Sequence, residues 1–71
     1  MNKFYITIKV REKGVLQTYY WGAAPKGLAT KYSDAREYHD LIFVQSDVSL
    51  IYEEVSNLEE INIHVYKDKS R

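Results

Sequence analysis

The sequence contains no cysteine, one proline, three glycines and no long apolar run. The absence of cysteine excludes a disulfide framework, a zinc site with thiolate ligands and a cysteine nucleophile. Because small secreted domains usually depend on disulfides, we expect a cytoplasmic protein. The longest apolar stretch, residues 41–44, is too short to span a bilayer, and the N-terminus lacks the apolar core of a signal peptide.

Residues that could support catalysis are also sparse. Three scattered glycines cannot build a phosphate-binding loop, and the serines lack the glycine-flanked turn of a hydrolase nucleophile. The two histidines, His39 and His64, have no metal-ligating neighbour at helical spacing. The sequence therefore predicts a protein that is not an enzyme and that has no metal or other cofactor.

The charges are unevenly distributed along a chain whose net charge is zero. Residues 1–33 hold six bases and one acid, whereas residues 34–60 hold eight acids and one base. The two segments could neutralise each other in the fold, or they could form a separate acidic face. An acidic face would attract a basic partner and accelerate encounter with it.

At 71 residues the chain is long enough for a single domain, residues 1–71, with a polar tail from about residue 67. In residues 3–11 an apolar side chain occupies every second position, which predicts a strand, and residues 15–21 predict its hairpin partner. A three-residue loop ending at Gly14 would turn Tyr19 and Trp21 away from the inner face, and this is the register we expect. A two-residue loop would turn both inward.

The second half predicts a strand, a helix and a final strand. We expect the third strand within residues 37–44, and a helix that begins at Asp47 after a capping Ser46 and ends near Leu58. Residues 61–66 alternate again and predict the last strand. The result is an α+β domain in the order β-β-β-α-β, with one helix on one face of a mostly antiparallel sheet.

Aromatic residues are abundant, with seven tyrosines and one tryptophan. In the expected register one group of side chains shares the sheet face opposite the helix. This group is Tyr5, Tyr19, Trp21, His64 and Tyr66. These rings could stabilise the sheet by cross-strand packing, bind a protein partner or stack on unpaired bases.

The predicted helix is acidic, and Glu53, Glu54, Glu59 and Glu60 crowd its C-terminal half. There the helix dipole disfavours negative charge. These carboxylates could form an ordinary solvated surface, or they could contact lysines and arginines of a partner.

The chain resembles small phage-encoded inhibitors of host defence, of the anti-CRISPR type. The resemblance lies in the strand of residues 3–11, the run 34–38, the acidic helix and the strand of residues 61–66. It implies a protein that binds and occludes a basic, nucleic-acid-binding surface of a host protein. It supplies no site residues.

We therefore expect a partner-binding site built from the acidic helix and exposed aromatics. Its predicted residues are Tyr5, Trp21, Asp47, Glu53, Glu54 and Tyr66. One alternative is a nucleic-acid-binding or regulatory module that uses the basic N-terminal half and the aromatic sheet face. Another is a homodimer formed through sheet faces or edge strands.

Overall fold

A computed structural model describes residues 3–22 and 27–66 of the chain. In this part of the chain, four strands and one α-helix follow the order β-β-β-α-β. They are β1 (Phe4–Glu12), β2 (Val15–Trp21), β3 (Leu28–Ala29), α1 (Leu41–Glu54) and β4 (Leu58–Val65). The sheet order is β3-β2-β1-β4, all neighbours are antiparallel, and α1 packs against the sheet. The predicted α+β class and element order are confirmed.

The hairpin between β1 and β2 has a two-residue turn, so the expected three-residue loop is wrong. Glu12 pairs with Val15, and Lys13 and Gly14 between them both have positive φ, at 52° and 79°. This is the conformation of a type I′ turn, whose twist matches that of the flanking strands. Gly14 adopts it without steric cost, whereas Lys13 must tolerate a left-handed backbone.

Because the turn is one residue shorter than predicted, each side chain of β2 lies on the opposite sheet face from the one expected. Ile8 lies opposite Tyr19, so Tyr19 and Trp21 share the face of β1 that points toward α1. Trp21 is 7% exposed and belongs to the hydrophobic core. The prediction that Trp21 and Tyr19 lie on the outer face is therefore wrong, because a slip of one residue turns every side chain of a strand over.

The helix begins at Leu41, six residues before the predicted start at Asp47. Its N-cap is Asp40, whose Oδ1 accepts a hydrogen bond from the backbone N–H of Ile42 at 3.1 Å. The predicted cap, Ser46, lies inside the helix, and residues 41–44 form its first turn rather than a strand. The third strand is instead Leu28–Ala29.

The core lies between α1 and the central strand β1. Ile6, Ile8 and Val10 of β1 are almost completely buried, as are Val44 and Ile51 of the helix. The helix stripe that meets the sheet is completed by Val48 and Val55. Tyr52 of α1 lies outside this stripe and is exposed, and the helix ends before Leu58, which begins β4.

The segment before the helix extends the sheet and closes one end of the core. Tyr38 and Phe4 exchange two backbone hydrogen bonds, and Ala35 forms a bridge with Gly22. A Cβ atom at Gly22 would lie 2.9 Å from the carbonyl oxygen of Asp34, so this crossing requires glycine. The crossing holds Tyr38 in the core beside α1.

The last strand is confirmed and begins three residues earlier than predicted, at Leu58. It pairs with β1 and forms one edge of the sheet. A bulge interrupts the pairing between Lys9 and Val10. The predicted polar tail from about residue 67 lies outside the described residues.

Candidate partner-binding surfaces

The outer face of the sheet, opposite α1, carries a cluster of five rings that we call the aromatic face. Its members are Tyr5, Tyr20, Tyr32, His64 and Tyr66. They come from β1, β2, the 3-10 turn Tyr32–Asp34, β4 and the residue after β4. The fold therefore gathers onto one surface side chains that are far apart in sequence.

Tyr5 is the centre of the aromatic face. Its ring stacks on His64 at 4.7 Å between centroids, and it meets Tyr32 edge-on at 5.3 Å. Tyr66 lies 4.9 Å from it. His64 is held in turn by Thr7, with 2.8 Å between Nε2 and Oγ1. The rings thus occupy one another's faces and edges, the geometries that aromatic pairs prefer.

Mutual packing also changes the ionisation of these tyrosines. Burial, together with the neighbouring Tyr32, raises the pKa of Tyr66 to about 12. Burial also raises the pKa of Tyr5. Both shifts have the same physical cause, since a phenolate loses hydration among packed rings. Tyr5, Tyr20, His64 and Tyr66 are half-buried and Tyr32 is 49% exposed, so the aromatic face is a packed surface that solvent still reaches.

Sequence reasoning located part of this cluster. Tyr5, Tyr66 and His64 lie on the outer face as predicted. Tyr20 was missed because the hairpin register was wrong by one residue. Tyr32 was missed because it lies in a 3-10 turn, where strand alternation carries no signal.

The outward side of α1 is the second surface, and its N-terminal turn is apolar. Ile42 is 67% exposed and Phe43 is 58% exposed, and Leu41 beside them is half-exposed. We call these three residues the helix patch. The buried stripe of α1 already fills the core, so the helix patch is surplus to folding. Exposed apolar side chains that the core does not use can mark interaction sites on monomeric proteins. Successive helix residues point about 100° apart, so these three side chains surround the first turn of α1 and do not share one face.

The prediction that Glu59 and Glu60 lie in the helix is wrong, because α1 ends at Glu54 and both residues belong to β4. The acidic residues that α1 does carry divide into two groups. Asp47 faces the protein, where its Oδ2 accepts a hydrogen bond from Arg36 Nη1 at 2.9 Å and another from the Tyr38 hydroxyl. Glu53 and Glu54 end the helix and are exposed. Neither forms an ion pair with any residue in the described ranges. Asp47 therefore has an internal contact, and its predicted role in a partner site stays a prediction.

Tyr38 contacts both Asp47 and Arg36, and these contacts and its burial change the pKa of its hydroxyl. Burial, with the hydrogen bond to the Asp47 carboxylate next in size, raises its pKa well above the usual value for tyrosine. The guanidinium carbon of Arg36 lies 5.1 Å from the centroid of the Tyr38 ring. These three side chains fasten the segment before the helix onto the helix itself.

The basic and acidic halves of the sequence partly neutralise each other in the fold. Lys3 forms an ion pair with Glu37 at 3.9 Å, and Arg11 with Glu59 at 3.2 Å. Both pairs are exposed and therefore contribute little to stability. The negative charge near Glu53 and Glu54 is left for solvent or for a partner.

A small cleft lies between α1 and the end of β2. Its volume is about 190 Å³, and Trp21, Arg36, Leu50 and Glu54 contribute to its walls. Ligand pockets usually enclose about 300–1,000 Å³. The cleft is therefore too small for a typical organic cofactor.

In residues 3–22 and 27–66, no group of three or more histidine, aspartate or glutamate side chains is arranged to hold a metal ion. Within the same ranges, no helix is both long and apolar enough to cross a membrane. Comparisons with protein-family models, with curated proteins and with solved structures found no match.

Proposed function

We propose that this chain is a non-enzymatic protein-binding module that contacts its partner through the outward side of α1. The observation that supports the proposal most is the helix patch: Leu41, Ile42 and Phe43 are exposed although the core is complete without them. An exposed isoleucine and phenylalanine side by side lose ordered water when covered, which favours association. The helix presents them on a rigid element capped by Asp40.

The same side of the helix indicates the chemistry of the partner. Apolar side chains occupy its N-terminal turn, and Glu53 and Glu54 occupy its C-terminal end. A helix of 14 residues is about 21 Å long, so these two regions can contact different parts of one groove. The complementary surface is an apolar depression bordered by lysine or arginine residues.

The hypothesis of a phage-type inhibitor that covers a basic, nucleic-acid-binding surface is compatible with this arrangement and stays a prediction. In its support, a partner whose normal ligand is nucleic acid carries the basic residues that Glu53 and Glu54 would contact. The aromatic face gives less support to direct base stacking, because its rings already cover one another.

The proposal is tested with the tagged chain as bait in a lysate of its native host cells. Captured proteins are identified by mass spectrometry, purified, and titrated against matched variants. A double variant, Ile42→Glu with Phe43→Glu, should abolish capture because it places charge in the apolar contact. The control is Val15→Glu, which makes the same kind of change at a residue that is 54% exposed but lies at the hairpin.

Two results would reject the proposal. One is equal capture by the double variant and by the Val15→Glu control, with both variants folded by circular dichroism. The other is a gel shift with single-stranded DNA or RNA at low salt that survives the helix substitutions, which would favour the nucleic-acid-binding alternative.

A further inference from the structure

The outer edge of β4 has unpaired backbone groups. Phe4 lies opposite Val65, and the N–H of Tyr66 donates to the carbonyl of Lys3 at 2.8 Å. Because the bonding direction alternates along an antiparallel pair, Asn62 and His64 also bond toward β1. The N–H and C=O groups of the odd-numbered residues 61, 63 and 65 therefore point away from β1. No segment of residues 3–22 or 27–66 pairs with that side of β4.

Side chains beside this edge are apolar and incompletely covered. Ile63 is 49% exposed and Val65 is 50% exposed, although both lie on the same side of the sheet as α1. Edge strands are usually protected by proline, charged side chains or bulges. In β4 the carboxylates of Glu59 and Glu60 and the bulge lie at the beginning of the strand, and residues 61–65 contain no proline, lysine or carboxylate. The strand therefore has both the hydrogen-bonding groups and the apolar surface that strand pairing requires.

From this edge we infer that the chain forms a symmetric dimer in which β4 pairs antiparallel with β4 of a second copy. Two copies of β4 can form hydrogen bonds only in registers that place odd-numbered residues opposite each other, because their N–H and C=O groups point away from β1. Of these, the register with its two-fold axis at Asn62 places Ile61 opposite Ile63. It also places Glu60 opposite His64 of the second copy, and symmetry repeats both pairs.

Hydrogen-bond complementarity selects this register. Glu60 and His64 lie on the outer face of β4, where one oxygen of the Glu60 carboxylate accepts from Asn62 Nδ2 at 2.7 Å and the Nε2 of His64 is engaged by Thr7. The other ring nitrogen can donate to the carboxylate of the second copy. A register centred one residue further along would place Glu60 opposite Tyr66 and leave the carboxylate without a basic partner. Opposite-charge and hydrogen-bonding cross-strand pairs stabilise sheets.

The opposite edge of the sheet is less suitable for pairing. There β3 already pairs with Tyr20 and Trp21, so only the first five residues of β2 are uncovered. That stretch includes Gln17 and Thr18 and carries no carboxylate and no basic side chain. It offers no self-complementary charge pair.

Pairing through β4 would join the two sheets into one continuous sheet. Because the two-fold axis is perpendicular to the sheet, both copies of α1 would lie on the same side. The two helix patches would then face in the same direction, so that a dimer could contact a partner that is itself two-fold symmetric. The inference does not depend on the proposed function, because it rests on β4 alone.

The absence of cysteine makes the axis directly testable in the full chain. Residues opposite each other in a pair that is not hydrogen-bonded have Cα atoms about 4.5 Å apart, within the range of about 4.4–6.8 Å that a disulfide spans. Asn62→Cys should therefore form a disulfide-linked dimer under mild oxidation. The matched control is Thr18→Cys, a polar, exposed outer-face residue on the other edge, which should stay unlinked.

Sedimentation measurements on the wild-type chain complete the test. The wild type should sediment with twice the mass of the chain, and Ile63→Lys should sediment as a monomer while keeping its circular dichroism spectrum. A wild type that is monomeric over the whole concentration range would overturn the inference. Equal cross-linking of Asn62→Cys and Thr18→Cys would overturn it as well, whether or not Ile63→Lys folds.

Discussion

The two faces of the sheet are covered in different ways. The inner face carries aliphatic side chains, such as Ile6 and Ile8, and is covered by the helix. The outer face carries the aromatic face and is covered by its own rings, which pack around Tyr5. One sheet therefore has a buried core under the helix on one side and a half-buried layer of packed rings on the other.

This difference follows from the chemistry of the side chains. Branched aliphatic residues have no polar atom, so they must be removed from water by another element. A tyrosine can bury its ring edge against neighbours and keep its hydroxyl in water. A domain of 71 residues can build one helical layer, and tyrosines supply the second covering without further chain. We propose that recognition uses the outward side of α1, where apolar side chains are exposed.

The largest expected effect tests the inner face. Ile8→Ala should lower the free energy of unfolding by about 2–5 kcal/mol, because Ile8 is fully buried in the central strand and the cavity cannot collapse. Urea denaturation measures this loss. Leu16→Ala on the outer face is the control and should change stability by less than about 1 kcal/mol. Equal losses would mean that the helix-covered core is not the main source of stability.

A smaller loss is expected when the aromatic face is opened. Tyr5→Ala removes the ring that contacts Tyr20, Tyr32, His64 and Tyr66. Since each aromatic pair contributes about 0.5–1.5 kcal/mol, the free energy of unfolding should fall by about 2 kcal/mol. Tyr5→Phe keeps the ring and should lose much less. If Tyr5→Ala were as stable as the wild type, the outer rings would be an open surface after all.

Alkaline pH should weaken the aromatic face. The pKa of Tyr66 is about 12 in the folded chain and about 10 in an unfolded one. A raised folded pKa means that the stability contributed by neutral Tyr66 is complete below pH 10 and is lost as the pH rises toward 12. Denaturation at a series of pH values, compared with Tyr66→Phe, measures this loss. An identical alkaline slope in the variant would contradict the assignment.

The smallest expected effect on stability concerns the acidic end of α1. Glu53→Lys with Glu54→Lys should leave stability unchanged or raise it by up to about 1 kcal/mol, because positive charge suits a helix C-terminus. The same double variant should bind the partner less tightly. Asp47→Lys is the contrasting change, and it should destabilise the fold because Asp47 bonds to Arg36 and Tyr38. Destabilisation by the first variant would show that these glutamates have an internal role.

The parts of the fold that the sequence predicts well are those with a strict period. Alternation locates β1 and β4 to within a few residues, and the apolar stripe locates the C-terminal half of α1. The helix start is missed because residues 41–44 are continuously apolar, so a strand and a buried helical turn have the same pattern. Asp40 and Ser46 are both residue types that cap helices well. The burial of Val44 in the core decides that the helix begins after Asp40 and not after Ser46.

The candidate site was harder to predict because it depends on the hairpin register. One residue more or less in the turn at Lys13 decides whether Trp21 is a surface residue or a core residue. The helix patch could not be recognised as a surface while residues 41–44 were assigned to a strand. Tyr32 joins the aromatic face from a turn, and no local sequence pattern predicts a contact between a turn residue and a distant strand.

The most direct measurement of the central claim is a calorimetric titration of the purified partner with two matched single variants. Ile42→Glu alters the helix patch, and Thr18→Glu places the same charge on the outer face of the sheet. The account predicts that Ile42→Glu weakens binding at least tenfold, which is about 1.4 kcal/mol, and that Thr18→Glu leaves the affinity unchanged. Weakened binding by Thr18→Glu, with full affinity for Ile42→Glu, would move the recognition surface to the other side of the molecule.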